Sequence, residues 1–164
     1  MSDLHRPVDP ERAAAFLTGH RLAVVGASDD PKNFGRTICR ELAGHGHEVV
    51  AVHPSATAVD GLPCVPTLAA VEGHLDGVIV MVPADASADV VRQCVDRGVT
   101  DVWLFQGIGS AGAVSTDALR LCDEHGIEVI AGACPLMFLE PVGWFHRLHR
   151  SARRHRGALV ASAG

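Results

Sequence analysis

At 164 residues the chain is long enough for one domain that buries roughly two thirds of its unfolded surface, so it needs no disulfide or metal to fold. Its five cysteines are odd in number and lack a C-x-x-C pair, which excludes a disulfide framework and predicts a cytoplasmic protein. No apolar run approaches the ~18 residues of a membrane span, which excludes membrane insertion. The formal charge of −5 excludes a generally basic, nucleic-acid-binding surface, so any affinity for anions is expected to be local.

The first predicted element is a helix of about two turns at 9–17. It follows the start MSDLHRPVDPER, which lacks the apolar run of a signal peptide, so no export is expected. Five short apolar runs follow, alternating with segments of helical periodicity, and they are typical of strands in a parallel sheet with helices on both faces. The runs are LAVVGA (22–27), EVVAVH (48–53), GVIVMV (77–82), DVWLFQ (101–106) and IEVIAG (127–132).

Helices are predicted between the strands from apolar residues three and four apart and from their end signals. Gly44 and Gly46 are suited to end the first of them, and Asp85 is able to cap the first turn of the second. The segment 54–74 is less regular because it contains three prolines. The predicted helices are 35–44, 85–97 and 115–125, with a short one near 67–72.

These elements predict an α/β fold, a single doubly wound, Rossmann-like domain. The sheet is expected to have five parallel strands in the order 3-2-1-4-5. The domain is predicted to span 1–141, and 142–164 to form an Arg- and His-rich C-terminal tail that is helical at its start.

The loop after the first strand reads VVGASDDPKNFG (24–35). Gly26, Ala27 and Ser28 are small enough to let phosphates approach the backbone closely. Amides at the start of the next helix, near 34–37, direct their partial positive charge to the same place. The loop therefore predicts a phosphate site at the carboxyl end of the first strand, where doubly wound sheets bind ligands.

The charged residues of this loop have a predicted orientation. Asp29 and Asp30 would repel phosphate, so they are expected to turn outward while Lys32 and Arg36 supply positive charge. The alternative interpretation is an ordinary connection between a strand and a helix, in which Gly26 and Gly35 only allow the backbone to turn tightly.

The end of the second strand discriminates between ligands. A nicotinamide dinucleotide site normally has an acidic residue there that binds the ribose 2′-hydroxyl. Here the strand ends VAVHPSA, so His53 and Pro54 offer no carboxylate, and Glu48 stands at the other end of the strand. No arginine lies nearby to meet the 2′-phosphate of NADP. Both nicotinamide cofactors are therefore disfavoured.

Six motifs in a defined order connect the chain with a known family: VVGASDDPKNFG, VHP, VPTLAAV, VMVPAD, WLFQGIGS and GACPLMFLEP, which together span about 20–141. With them the chain resembles the small coenzyme A-binding proteins with a Rossmann-type domain. That group is related to the nucleotide-binding domain of the succinyl-CoA synthetase alpha subunit. The resemblance implies that the cofactor is coenzyme A or an acyl derivative.

The resemblance also implies a role for individual residues along the ligand. It places Gly26, Ala27, Ser28, Lys32 and Gly35 at the pyrophosphate, His53 and Pro54 beside the adenosine, Val82 and Pro83 on its other side, and Gln106 and Gly107 at the pantetheine end.

Two departures from the family limit what the resemblance implies. His53 stands where the family more often has Asn, which affects hydrogen bonding around the ribose. The ligase relatives need a further domain with a histidine that is transiently phosphorylated, and a chain of this length has no room for one. We therefore expect no ligase activity from this chain by itself.

Other residues leave alternatives open. Cys134 follows the fifth strand and is either a redox sensor facing the ligand's thiol, which would need a lowered pKa, or a small apolar filler. The arginines of 146–156 form a solvated helix, contact the ligand's 3′-phosphate, or meet an acidic partner subunit, including a second copy. The histidines of the tail lack a nearby carboxylate or thiolate, so no metal site is expected.

Three functions are consistent with the sequence. The favoured one is a coenzyme A-binding module that is non-catalytic by itself, because the chain has no G-x-S-x-G elbow and no H-E-x-x-H motif and we predict no catalytic residues. An NAD(P)-dependent oxidoreductase using the same crevice is the alternative. A metabolic scaffold with a vestigial binding site is the third.

Overall fold

The computed structural model describes residues 7–107 and 112–139. The predicted tail at 142–164 lies outside these ranges, and the division into a domain and a tail stays a prediction. Short 3-10 turns occur at Leu68–Ala70 and Pro135–Phe138. In chain order the elements of the described residues are α1 (Pro10–Phe16), β1 (Arg21–Val25), α2 (Phe34–Gly44), β2 (Glu48–Val52), β3 (Ala58–Val59), β4 (Leu62–Val65), β5 (Gly77–Val80), α3 (Ala84–Asp96), β6 (Asp101–Phe105), α4 (Thr116–Glu124) and β7 (Glu128–Ala133).

The strands form one mostly parallel sheet in the order β3-β4-β2-β1-β5-β6-β7. The α/β class is confirmed, but the five-stranded sheet in the order 3-2-1-4-5 is wrong. The third predicted strand, β5, pairs with β1 on the side opposite β2, with Leu22 beside Gly77. The place beside β2 is taken by β4, which belongs to the segment interpreted as irregular.

A tight hairpin explains the two additional strands. β3 and β4 are antiparallel, and Asp60 and Gly61 connect them with φ of +52° and +79°. Asp-Gly is the preferred pair for a two-residue hairpin turn with positive φ at both positions. Val59 is fully buried at the end of β3, which anchors the hairpin on the domain.

Each central strand contributes to two cores because successive side chains point to opposite faces. Leu22 and Val24 pack with α1 and α2, whereas Ala23 and Val25 pack with α3 and α4. The fully buried Trp103 lies in the first core, its ring edge-on to Phe16 at 5.4 Å between centroids. Helices therefore cover both faces, as the consecutive apolar runs predict.

The beginnings of the helices differ in how they are capped. Asn33 caps α2 and Ser115 caps α4, each through its side-chain oxygen. Helix α3 begins at Ala84 after Pro83 and has no side-chain cap, so the predicted capping role of Asp85 is wrong. Pro83 precedes the helix with its φ fixed at −56°, so the helix begins at Ala84, one residue before Asp85.

Candidate functional site

A cleft opens at the carboxyl ends of β1, β5 and β6. β2 lies on one side of β1 and β5 lies on the other, so the strand order reverses at β1. Doubly wound sheets bind ligands in the crevice at such a reversal. The cleft has a volume of about 410 Å³. It is lined by Gly26, Asn33, Phe34, Gly35, Met81, Val82, Pro83, Ala84, Phe105, Gly112 and Ala113.

Gly26 forms the floor of the cleft where β1 ends. Its φ is +101°, and a Cβ there would lie 2.9 Å from the carbonyl oxygen of Met81. Its amide donates to the carbonyl oxygen of Val52 at 2.8 Å. The backbones of β1, β2 and β5 therefore meet so closely that no side chain fits, and bare main chain faces the ligand space.

Helix α2 starts directly beside this floor. The side-chain amide of Asn33 donates to the Gly26 carbonyl at 3.0 Å, and its Oδ1 accepts from the Arg36 amide at 3.2 Å. Gly35 is buried, and a Cβ there would lie 2.8 Å from the Cα of Ala27. Asn33 and Gly35 thus hold the amino end of α2 against the end of β1.

A second helix also begins at the cleft. Pro83 and Ala84, at the start of α3, are lining residues. The buried Ser87 in the first turn bonds the Ala84 carbonyl at 2.8 Å and the Ser115 hydroxyl at 2.9 Å, which fixes the start of α3 beside α4. The amino ends of α2 and α3 both carry partial positive charge, so the cleft favours an anion.

Part of the cleft lining is apolar. Phe34 and Phe105 lie with ring centroids 5.7 Å apart and planes at 44°. Phe34 is 46% exposed, so part of its ring is open to solvent. Met81 and Ala113 also line the cleft. We call Phe34, Met81, Phe105 and Ala113 the aromatic wall. A ligand with a charged part and an apolar part suits this arrangement.

Both acidic residues of the loop have contacts within the protein. Asp29 and Asp30 are exposed, and Asp30 accepts the Lys32 amide at 2.9 Å. The Arg36 guanidinium lies 3.4 Å from Asp29 and 3.3 Å from Asp60 at the hairpin turn. Arg36 is thus paired with two carboxylates, and its contact with a phosphate stays a prediction.

His53 shapes the chain after β2. Its Nδ1 accepts the backbone amides of Ser55 and Ala56 at 3.2 and 3.3 Å. An Asn at this position would accept the same amides through Oδ1, which is the geometry of an Asx turn. The histidine therefore maintains the turn that the family's more common Asn would form.

Cys134 does not have the character of a reactive thiol. Burial raises its pKa, and the amides of Leu136 and Met137 offset this only in part. A nucleophilic cysteine needs a lowered pKa. The structure favours the filler interpretation over the sensor.

Among residues 7–107 and 112–139, no three His, Cys, Asp or Glu side chains lie close enough together to bind a metal ion. In the same residues, no helix combines the length and the apolar character that crossing a bilayer requires.

Comparison with known protein families identifies the domain. The model of the family described as the CoA binding domain matches residues 20–140, which include every strand of the sheet. The chain belongs to this CoA binding domain family. The predicted resemblance is confirmed.

Two relatives and one solved structure are similar to this chain. The ADP-forming acetate–CoA ligase I of Archaeoglobus fulgidus is 26% identical over 118 residues, which cover 69% of this chain and 17% of the ligase. The uncharacterized protein YneT of Bacillus subtilis is 26% identical over 131 residues, 80% of this chain and 93% of YneT. A hypothetical protein from Pyrococcus horikoshii shares the fold, with a TM-score of 0.74, 24% identity and coverage of 84% of this chain and 94% of that one.

The cleft contains only part of the predicted residue set. Gly26, Gly35, Val82 and Pro83 line it, and Ala27 is buried beneath α2. Ser28, Lys32, Arg36, His53, Pro54, Gln106 and Gly107 are not among the lining residues, and their roles stay predictions.

Several lining residues are not predicted as site residues from the sequence. Asn33 had a recognisable signal, because Asn directly before a helical segment is a preferred cap. Phe34 and Phe105 had none, since they are far apart in sequence and meet only through the strand order. The other missed residues are Met81, Ala84, Gly112 and Ala113.

Proposed function

We propose that this chain binds coenzyme A, or an acyl-CoA, in the cleft at the ends of β1, β5 and β6, and that it is non-catalytic by itself. One observation carries the proposal: the amino ends of α2 and α3 converge on the bare backbone at Gly26. A diphosphate placed there would interact with both helix dipoles and with backbone amides. Membership of the CoA binding domain family supports this ligand.

The aromatic wall suits the remainder of the ligand. Neighbouring strands are about 4.8 Å apart, so β6 lies roughly 10 Å from β1 across β5. A pantetheine arm that leaves a diphosphate at Gly26 would cross β5 and reach Phe105 on β6. The arm carries methyl and methylene groups, which gain from contact with Phe34 and Phe105.

The nicotinamide alternative is not proposed. His53 and Pro54 follow β2 where an NAD site would have a carboxylate. The family match and the relatives give no support to hydride transfer.

The chain is similar to 17% of the Archaeoglobus ligase, and we propose that it works together with a protein partner. A partner subunit or a second copy of this chain would receive or supply the cofactor. We also propose a cytoplasmic location, because all five cysteines are free thiols.

Calorimetric titration with coenzyme A and with NAD tests the proposal. We expect the purified chain to bind coenzyme A more tightly than NAD. Ala84→Glu adds a negative charge at the start of α3, where the helix dipole tolerates it but a diphosphate does not. We expect it to weaken coenzyme A binding by roughly tenfold or more while the unfolding temperature is maintained.

Ala14→Glu is the matched control, because it adds the same charge on the exposed surface of α1, outside the lining of this cleft. It should leave coenzyme A binding unchanged. Equal binding of coenzyme A by the two variants, or tighter binding of NAD than of coenzyme A, would overturn the proposed function.

A further inference from the structure

The imidazole of His53 has a defined tautomer in its neutral form. Its Nδ1 accepts the Ser55 and Ala56 amides at 3.2 and 3.3 Å and lies 3.3 Å from the Ser55 hydroxyl. A neutral imidazole has one protonated nitrogen, and an accepting Nδ1 carries no proton. The ring proton is therefore on Nε2, so His53 presents an N–H donor.

This donor has no protein partner within residues 7–107 and 112–139. Its backbone position is adjacent to the proposed diphosphate site, because the Gly26 amide donates to Val52, the residue before His53. One of the two predicted cations of the loop, Arg36, is already paired with Asp29 and Asp60. His53 is thus a polar group at the edge of the site with an unused donor.

The position determines which part of a ligand this donor would meet. In doubly wound folds that bind a diphosphate at the first loop, the residue at the end of the second strand contacts the adenosine ribose. Dinucleotide sites that bind a free 2′-hydroxyl place an accepting carboxylate there. A donor at the same place favours a ribose that carries an acceptor, and a charged acceptor binds about twice as strongly as a neutral one.

We propose that His53 is a specificity-determining residue whose Nε2–H donates to a phosphate monoester on the adenosine ribose of the ligand. The inference rests on the proposed function, since coenzyme A carries such a monoester on its 3′-oxygen and dephospho-coenzyme A does not. His53 thereby makes the site selective for the phosphorylated ribose. NADP, with a monoester on the 2′-oxygen, is the other source of the same chemistry.

Two isosteric variants separate the donor from the turn. Asn and Asp at position 53 both accept the Ser55 and Ala56 amides through one oxygen, so both maintain the turn. The second polar atom is a donor in His53→Asn and a negative acceptor in His53→Asp. Calorimetry would give the dissociation constants of the wild type and both variants for coenzyme A, dephospho-coenzyme A, NADP and NAD.

We expect the wild type to bind coenzyme A roughly tenfold or more tightly than dephospho-coenzyme A. His53→Asn should maintain a preference in the same direction, and His53→Asp should lose or reverse it, with little change in dephospho-coenzyme A binding. Equal affinities of the wild type for coenzyme A and dephospho-coenzyme A would overturn the inference. Equal preferences in His53→Asn and His53→Asp would also overturn it. Neither result would overturn the proposed function.

The titrations with NADP and NAD distinguish between the two ligands that could supply the phosphate monoester. Binding of NADP over NAD, without binding of coenzyme A and with loss of the preference in His53→Asp, would support the role of His53 and overturn the proposed function. Failure of all four ligands to bind would overturn both.

Discussion

Phe34 at the start of α2 and Phe105 at the end of β6 lie with ring centroids 5.7 Å apart, although 71 positions separate them in the chain. Phe34→Ala removes the exposed half of this pair. Because Phe34 is 46% exposed, we expect the free energy of unfolding to fall by only about 1 kcal/mol. Coenzyme A binding should weaken by about tenfold through lost apolar contact.

ADP, which lacks the pantetheine arm, should bind equally to the wild type and to Phe34→Ala. Met137→Ala is the control for loss of an exposed apolar side chain, since Met137 is 69% exposed and outside the cleft lining. Equal losses of ADP and coenzyme A affinity in Phe34→Ala would contradict the assignment of the arm to the aromatic wall.

Gly26→Ala should destabilise the domain. The positive φ and the 2.9 Å approach to the Met81 carbonyl both oppose a Cβ, and we expect a loss of about 1–3 kcal/mol in the free energy of unfolding. Gly44→Ala is the matched control, because nothing lies within 4 Å of its added methyl group inside α2. It should be neutral or stabilising by up to about 1 kcal/mol. Urea unfolding of both variants measures the difference, and equal stabilities would contradict the geometry at Gly26.

The buried thiols should resist alkylation. Burial raises the pKa of Cys39 and Cys94 to about 12 and that of Cys122 to about 11. Only the thiolate reacts, so iodoacetamide at pH 8 should modify these residues much more slowly than a free thiol until the protein is unfolded. Cys134 is also expected to react slowly, since its pKa is raised too. Peptide mass spectrometry after timed labelling checks this, and rapid labelling of Cys134 would restore the sensor interpretation.

The stability of the domain should depend on His47 in mildly acidic solution. Burial lowers the pKa of His47, and its Nδ1 bonds the Gly19 carbonyl at 2.8 Å. The unfolded chain then binds more protons than the folded one below the ordinary pKa of 6.5, so the contribution of His47 is complete above pH 6.5 and is lost as the pH falls toward the lowered pKa.

His47→Gln should therefore reduce the slope of stability against pH in this range. Thermal unfolding of both proteins between pH 5 and about 7.5 measures it. An identical slope in the variant would show that other groups cause the dependence.

The fold class could be predicted because apolar runs and helical periodicity reflect burial directly. The order of the strands could not, since periodicity does not determine whether the third predicted strand pairs with β2 or with β1. The Asp60–Gly61 turn was a recognisable hairpin signal, but the prolines around it favoured an irregular interpretation.

The candidate site was predictable to a similar degree. Gly26 and Gly35 could be found in sequence because small residues after a strand indicate close approach of a ligand or of backbone. The aromatic wall could not, because periodicity does not show that Phe105 at the end of β6 contacts Phe34 at the start of α2. The pairing of Arg36 with Asp60 depends in the same way on the hairpin.

A crystal structure of the protein grown with excess coenzyme A tests the central claim most directly. The account predicts the diphosphate within hydrogen-bonding distance of backbone amides at the starts of α2 and α3, above Gly26, with the pantetheine arm against Phe34 and Phe105. A diphosphate bound elsewhere on the molecule, or a cleft that contains only water under these conditions, would contradict it.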